Sequence, residues 1–311
     1  MKRLCLLCRF VALLLVVSCA QTAPAAIPAT ATPKPTPTQI PGRADLYTAV
    51  HPPEHMAYIW WGWLQGQDAK GNRFDEFAEL VIEFTIHNDV APLGGNGLYL
   101  MLAYSEISGV GFYFGLQTDV KDPNILQMRG KGLIFSRWET RDLANARYVE
   151  EDGWTESSGH EGDFIGVRRS YAWGAGEYRV RMAPDESAPQ DSDGVWFGLW
   201  ITDLSTDETT WIGSLKFPLQ DGKAVMQSPV YSTMEIYGDW IRPIDIPAWH
   251  VSIQRPLGDG VVAHGGRTGY AGLNGEITNA DIRYDATNDI AHIKAGGATE
   301  RRTEPGPVEF W

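Results

Sequence analysis

The sequence predicts an all-β protein: an antiparallel β-sandwich, jelly-roll-like, forming a single large domain over residues 43–311. Three observations predict it. Apolar residues recur with period 2, no stretch holds a long 3.6-residue period, and Gly, Pro, Asn or Asp punctuates nearly every gap, as in Gly94-Gly95-Asn96-Gly97. With 43% hydrophobic residues among 311, the chain has apolar material for a sizeable core.

Taken in order, the first expected strand is Tyr58–Gln65. The second, Ala78–His87, is the clearest. Leu80, Ile82, Phe84 and Ile86 share one face, and Glu79, Val81, Glu83, Thr85 and His87 share the other. Gly97–Ser105 follows, then Phe112–Gln117, where Phe112, Phe114 and Leu116 point inward and Tyr113, Gly115 and Gln117 point away. Next come Leu133–Trp138 and Glu177–Met182. Val195–Thr202 divides into Phe197, Leu199 and Ile201 against Trp196, Gly198, Trp200 and Thr202. Thr210–Phe217, Met234–Trp240, Ala248–Gln254, Glu276–Tyr284 and Ile290–Lys294 complete the set. A division near Pro256, before the Gly-rich Gly265-Gly266, is less favoured than one domain, because the few strands beyond it can complete the edges of the same sheets.

The N-terminus reads as an address. Met1-Lys2-Arg3 is basic, and Phe10 to Val17 is apolar but too short for a membrane span of about 20 residues. It ends in Val16-Val17-Ser18-Cys19, which resembles the bacterial lipobox, so residues 1–18 are expected to be a signal peptide and Cys19 the lipidated residue. An ordinary cleavable signal with an incidental cysteine is the alternative. Residues 19–42 carry the lipid site and a Pro/Thr/Ala-rich tether, including Pro33-Lys34-Pro35-Thr36-Pro37, which favours extended conformations. Cleavage would discard Cys5 and Cys8, leaving neither a disulfide framework nor a cysteine metal set. It would also remove Lys2, Arg3 and Arg9, taking 26 basic residues to 23 against 39 acidic ones, a side-chain charge of −16. Even the −13 of the full chain repels the phosphate backbone, so no nucleic-acid partner is expected.

The middle of the chain carries a family pattern. Gly111-Phe112-Tyr113-Phe114-Gly115-Leu116-Gln117 is followed by Leu133-Ile134-Phe135-Ser136-Arg137-Trp138, then Gly159-His160-Glu161-Gly162, then Tyr171-Ala172-Trp173-Gly174-Ala175-Gly176-Glu177-Tyr178-Arg179 and Trp211-Ile212-Gly213-Ser214-Leu215-Lys216-Phe217-Pro218. This order resembles a secreted bacterial family known only as a domain of unknown function, with a Tyr-Phe-Gly-x-Gln strand, a Glu-Gly turn and a Tyr-x-Trp-x-x-Gly segment. The resemblance covers roughly residues 95–240, and the chain departs from it at both ends. It implies a β-sandwich in an extracytoplasmic setting, often near polysaccharide-degrading modules. It brings no catalytic residues to carry over.

The tests for chemistry narrow the field. His51-Pro52-Pro53-Glu54-His55 fits H-x-x-E-H formally, but two prolines after His51 disfavour the helix that pattern needs. No G-x-S-x-G elbow occurs, and the glycines at Gly94, Gly95 and Gly97 lack the Lys-Ser/Thr of a phosphate loop. Asp203 to Glu208 has calcium-type oxygens without EF-hand spacing and reads as a solvated hairpin turn. No metal site and no cofactor is predicted. Glu79 and Glu83 stand about 13 Å apart on a strand, too far for a glycosidase pair at about 5–9.5 Å. Glu161 and Asp163, with Arg168 close by, form the best catalytic constellation. Its alternative is a polar turn in which these carboxylates pair with Arg168 or Arg169.

The aromatic residues give the leading expectation. Trp196 and Trp200 flank Gly198, leaving a slot between two indoles, and Tyr113, Gly115 and Gln117 make a similar set. Sugar faces stack on such rings, while Gln, Glu and Arg bond hydroxyls. A second hydrophobic layer is the competing account of these rings. The sequence therefore predicts a lipid-anchored extracytoplasmic protein binding polysaccharide through Tyr113, Gln117, Trp196 and Trp200. Its rivals are a carbohydrate-active hydrolase or lyase using Glu161/Asp163 and Arg168, and a structural envelope lipoprotein with no ligand.

Overall fold

Every strand the sequence predicts is present, with ends shifted by a few residues. The computed structural model describes residues 39–309 apart from 65, 67–74, 160–161, 190–191 and 271–276. The principal strands are β1 (Glu54–Gly62), β2 (Leu80–Ile86), β3 (Asn96–Ile107), β4 (Val110–Gln117), β5 (Gly132–Trp138), β6 (Gly153–Ser158), β7 (Phe164–Ser170), β8 (Gly176–Pro184), β9 (Gly194–Asp203), β10 (Glu208–Pro218), β11 (Val230–Gly238), β12 (Trp249–Gln254), β13 (Gly265–Gly269), β14 (Ala280–Asp285), β15 (Ile290–Ala295) and β16 (Gly306–Glu309).

They form two antiparallel sheets. The front sheet runs β6-β7-β5-β4-β3-β11-β1-β13-β16, and the back sheet runs β14-β15-β12-β2-β8-β9-β10 with Ala146–Arg147 at its edge. The strands after Pro256 thus join both sheets, and Gln39–Trp311 is one compact unit. The architecture is an antiparallel β-sandwich.

One core lies between the sheets. Phe112, Phe114 and Phe135 from the front meet Phe197 and Phe217 from the back, all fully buried, with Phe112 and Phe217 edge-to-face at 6.0 Å. The inward sets of β2, β4 and β9 are the apolar sets the alternation names. A second, smaller cluster sits on the outer face of the front sheet, around Tyr99, Met101, Ile134, Trp154 and Tyr231. This outer face thus carries an aromatic cluster in place of the polar residues usual on a solvated sheet face.

The hairpin β6–β7 has no counterpart among the expected strands. Trp154, Glu156 and Ser158 alternate with Thr155 and Ser157, so neither face is apolar throughout. It pairs in full register all the same, from Gly153 opposite Arg169 to Ser158 opposite Phe164. Lying at the sheet edge, it needs only one neighbour, β5 through β7.

Candidate functional site

The outer face of the front sheet is built as rungs that run across strands. One rung is Trp60, Tyr231, Tyr104, Tyr113, Ser136, Gly166 and Glu156. The next is Tyr58, Thr233, Met101, Gly115, Ile134, Arg168 and Trp154. A third holds His55, Glu235, Tyr99 and Gln117. Strands lie about 4.8 Å apart, so side chains on one rung touch their neighbours.

The rings form a continuous wall. Trp138 meets Tyr113 at 5.0 Å and Tyr104 at 5.8 Å, and Tyr231 meets Trp60 at 4.7 Å and Tyr58 at 5.4 Å. Beside Tyr113 the rung narrows to Ser136 and Gly166. A cavity of about 500 Å³ opens on this face, with Tyr99, Tyr113, Gln117, Trp138, Glu156 and Arg168 in its lining.

The floor of this groove is polar and incompletely satisfied. Arg168 Nη2 pairs with Glu156 Oε2, while Arg168 Nη1 is buried without a hydrogen-bond partner among the described residues. The Tyr99 hydroxyl, on a residue 4% exposed, and Ser136 Oγ are also buried without partners. Buried donors of this kind carry a desolvation cost of about 1–3 kcal/mol each until something bonds them. Burial first, then the nearby Tyr113 and Glu235, push the Tyr99 hydroxyl well above its ordinary pKa, with Arg168 opposing, so Tyr99 is a neutral donor.

A relay lies across the groove. The Tyr231 hydroxyl stands 3.0 Å from His55 Nδ1, and His55 Nε2 stands 3.2 Å from Glu235 Oε2. With Glu235 accepting the Nε2 proton, Nδ1 is the acceptor for Tyr231. Burial raises the Tyr231 hydroxyl far above its usual range.

The sequence-predicted residues divide between the two sheets. Tyr113, Gln117 and Arg168 come together in the groove. Asp163 is exposed in the turn before β7, and Glu161 lies outside the described residues. Among the described residues, Arg168 pairs with Glu156, and Arg169 Nε with Asp152 at 2.8 Å. Cys19 also lies outside the described residues.

Trp196 and Trp200 stand on the outer face of the back sheet. The slot expected over Gly198 is filled, because the Trp200 ring itself lies there: a Cβ on Gly198 would stand 2.7 Å from Trp200 Cζ2. Trp196 is 8% exposed, with Arg147 over its ring at 6.0 Å, and Arg181 covers Trp200 at 5.3 Å. Arg181 also bonds Glu79 at 2.7 Å and Arg179 bonds Glu83 at 2.7 Å, which turns this face into a ladder of cations, carboxylates and indoles. The H-x-x-E-H segment is not helical: Glu54 and His55 open β1 and His51 is exposed. Asp203 to Glu208 is the hairpin turn of β9 and β10, with Ser205 N donating to Asp203 Oδ1 at 2.8 Å.

Sequence reasoning missed His55, Tyr99, Trp138, Glu156, Tyr231 and Glu235. Tyr231, Thr233, Glu235 and Tyr237 alternate with Ser232, Met234 and Ile236, a readable signal. Nothing in the sequence marks which strand lies beside which.

A different cluster stands on the outer face of the back sheet. His87, just beyond β2, His250 on β12 and His292 on β15 bring their ligand atoms within 4.8 Å of one another. His250 Nε2 is 3.3 Å from His292 Nδ1, and the His87 ring stacks on His250 at 3.9 Å. Burial first, then the positive charge near His87, Lys294 and His292, hold His250 down at about 4. Burial and His87 also lower His292.

Comparison of the chain with protein-family models and with curated proteins finds no match. Among solved structures it is similar to scytalido-glutamic peptidase in complex with a peptide-based transition-state analogue. That match has a TM-score of 0.39 and 10% identity, over 78% of this chain and 100% of that one. A second structure of scytalido-glutamic peptidase, with a transition-state analogue inhibitor, gives a TM-score of 0.35 and 8% identity over 80% of this chain and 100% of that one. Overlaps this low transfer neither residue roles nor a substrate.

Proposed function

We propose that the protein binds a polysaccharide in the front-sheet groove while held at an extracytoplasmic membrane surface by a lipid on Cys19. One observation carries the binding: Tyr104, Tyr113 and Trp138 line the same cavity as Tyr99 and Arg168, and Tyr99 OH, Arg168 Nη1 and Ser136 Oγ, the last on the residue opposite Tyr113, are buried with no hydrogen-bond partner among the described residues. Sugar rings present an apolar face for stacking and hydroxyl oxygens that accept from such donors. A purely apolar ligand would leave the three donors unsatisfied, and a ligand without flat faces would leave the wall unused. The anchor is supported by the Val16-Val17-Ser18-Cys19 sequence behind a basic start and an apolar run. Glycan-array binding by the purified chain tests the first part: retention of at least one polysaccharide, lost in Tyr113→Ala, supports it, and silence across the array refutes it. Membrane fractionation tests the second, with Cys19→Ala expected to move the protein to the soluble fraction.

A second reading is a carbohydrate-active enzyme, favoured by the Tyr231–His55–Glu235 relay facing the same groove. Glu156 and Glu235 are five strands apart, about 24 Å measured along the sheet, so a paired-carboxylate hydrolase is not what the register favours. Proton abstraction from a uronic acid suits the groove better. Arg168 and Gln117 would hold the carboxylate, and a Tyr231–His55 pair would move the proton. New unsaturated ends from a polysaccharide panel, abolished in Tyr231→Phe, would establish this reading, and unchanged substrate would remove it.

A further inference from the structure

We propose that His87, His250 and His292 form a transition-metal site, best fitted to zinc(II), whose fourth position opens onto a basic pocket that takes an anionic group. The three histidines come from adjacent strands of the back sheet, β15, β12 and the end of β2. Their positions are set by register. His87 N donates to His250 O at 3.0 Å, and His292 stands opposite Ser252, two residues along from His250. Two imidazole nitrogens on one tetrahedral zinc, at about 2.0–2.1 Å each, stand roughly 3.3–3.4 Å apart. His250 Nε2 and His292 Nδ1 are already 3.3 Å apart.

The third ligand needs one movement. His87 stacks on His250 with an interplanar angle of 17°, and parallel rings cannot both direct an in-plane lone pair at one ion. Its side chain is exposed, so rotation about Cβ–Cγ meets little resistance. Ser252 Oγ, 2.9 Å from His87 Nε2, is placed to accept that nitrogen's proton when Nδ1 turns toward the ion, the outer contact that fixes a ligand's tautomer. An all-imidazole set with an open fourth position suits zinc and its late-transition neighbours and discriminates against calcium and magnesium, which require oxygen.

The pocket beside the histidines supplies the remainder. It encloses about 810 Å³ and includes Asp281, Arg283, Lys294, Glu300 and Arg302 in its lining. Asp281 Oδ1 already accepts from the backbone of Arg302 and Thr303, each at 2.9 Å, and Glu300 pairs with Arg302 at 3.1 Å. Arg283 and Lys294 have no ion pair among the described residues. Two free cations beside a dication disfavour a neutral fourth ligand and favour a carboxylate or phosphate oxygen.

The test uses the full chain carrying Cys5→Ser, Cys8→Ser and Cys19→Ser, so that thiols do not compete, stripped with chelator and titrated with zinc(II) and cobalt(II). The expected result is one equivalent bound per chain, with the intense visible bands of four-coordinate cobalt. Affinity should fall on the order of 100-fold in His87→Gln and in His292→Gln. Because His87 is exposed, its variant reports on the site even if a substitution at His250 impairs folding. Added phosphate should shift the cobalt spectrum, and Lys294→Gln should blunt that shift. Absence of binding by the parent chain, or an affinity in the His87 and His292 variants undiminished from that of the parent, would overturn the site. An unaltered spectrum with both phosphate and acetate would overturn its anion-binding part.

Discussion

Gly166→Ala places a methyl group beside Ser136 and Arg168 on the outer face of the front sheet. A Cβ there would stand 2.6 Å from Ser136 Oγ, 3.2 Å from Arg168 Nη1 and 3.3 Å from Phe135 O. The first two are ends of side chains that can swing away, so the protein should fold, with an overpacking cost of about 1–3 kcal/mol. For a domain of this size that lowers Tm by about 2–5 °C. Swinging aside takes two of the three unpartnered donors out of position, and one of them is charged. Loss of one charged and one neutral hydrogen bond to ligand amounts to at least about 2 kcal/mol, or roughly thirtyfold in affinity. Gly115→Ala is the internal contrast, since its Cβ would overlap Leu100 O and stand 2.8 Å from Met101 Cα, backbone of the neighbouring strand β3 that cannot yield. Calorimetric unfolding and isothermal titration with a retained glycan measure both. Undiminished affinity in Gly166→Ala would refute the role given to Ser136 and Arg168. Soluble Gly115→Ala with an unchanged Tm would refute the strand pairing on which the groove is built.

Other consequences follow from the same contacts. Glu156→Gln removes the partner of an arginine that is largely buried, at a cost of about 3 kcal/mol by denaturant titration, and the double variant with Arg168→Met should recover most of it. His250 is held at about 4 by burial and neighbouring positive charge, so between that value and 6.5 the unfolded chain binds a proton the folded chain refuses. Stability should therefore fall as pH drops through this window and be flat above it. The slope should lessen in His250→Gln, and an unaltered slope would locate the titration elsewhere. Asp185 behaves oppositely. Burial raises its pKa, but hydrogen bonds from Ser187 and Ser214, with the charge of Arg147, outweigh burial and hold it below the usual carboxylate value. Its contribution is present at neutral pH and lost as pH falls through that lowered value, so Asp185→Asn should destabilise at pH 7 and converge with the parent chain once the pH is below it.

Alternation makes a face legible but not its neighbours. Tyr113 and Gln117 are legible because Phe112, Phe114 and Leu116 claim the opposite side of β4, and Trp196 and Trp200 are legible by the same argument on β9. The two faces end differently because of what the adjoining strands contribute. Tyr113 lies opposite Ser136, with Gly166 beyond it, and small residues leave space. Trp200 lies opposite Arg181 on one side and Trp211 on the other, and long side chains cover it. Strand pairing between segments tens to hundreds of residues apart is what the sequence does not display. The same limit hid the histidines, since His87, His250 and His292 share no spacing motif and meet only through the order of β15, β12 and β2. The hairpin β6–β7 escaped for another reason: Gly153–Ser158 carries polar residues on both faces, and its strand character comes from pairing with β7 rather than from burial.

The most direct test of the account compares one aromatic residue from each sheet on the same glycan. Tyr113→Ala removes a ring from the groove wall, where loss of stacking is worth about 0.5–1.5 kcal/mol or more, a fall of roughly two- to twelvefold in affinity. Trp200→Ala removes a larger ring from beneath Arg181 on the opposite sheet. Titration calorimetry should show weakened binding in the first and unchanged binding in the second, with both variants folded. Binding lost with Trp200 and kept without Tyr113 would contradict the account and move the site to the back sheet.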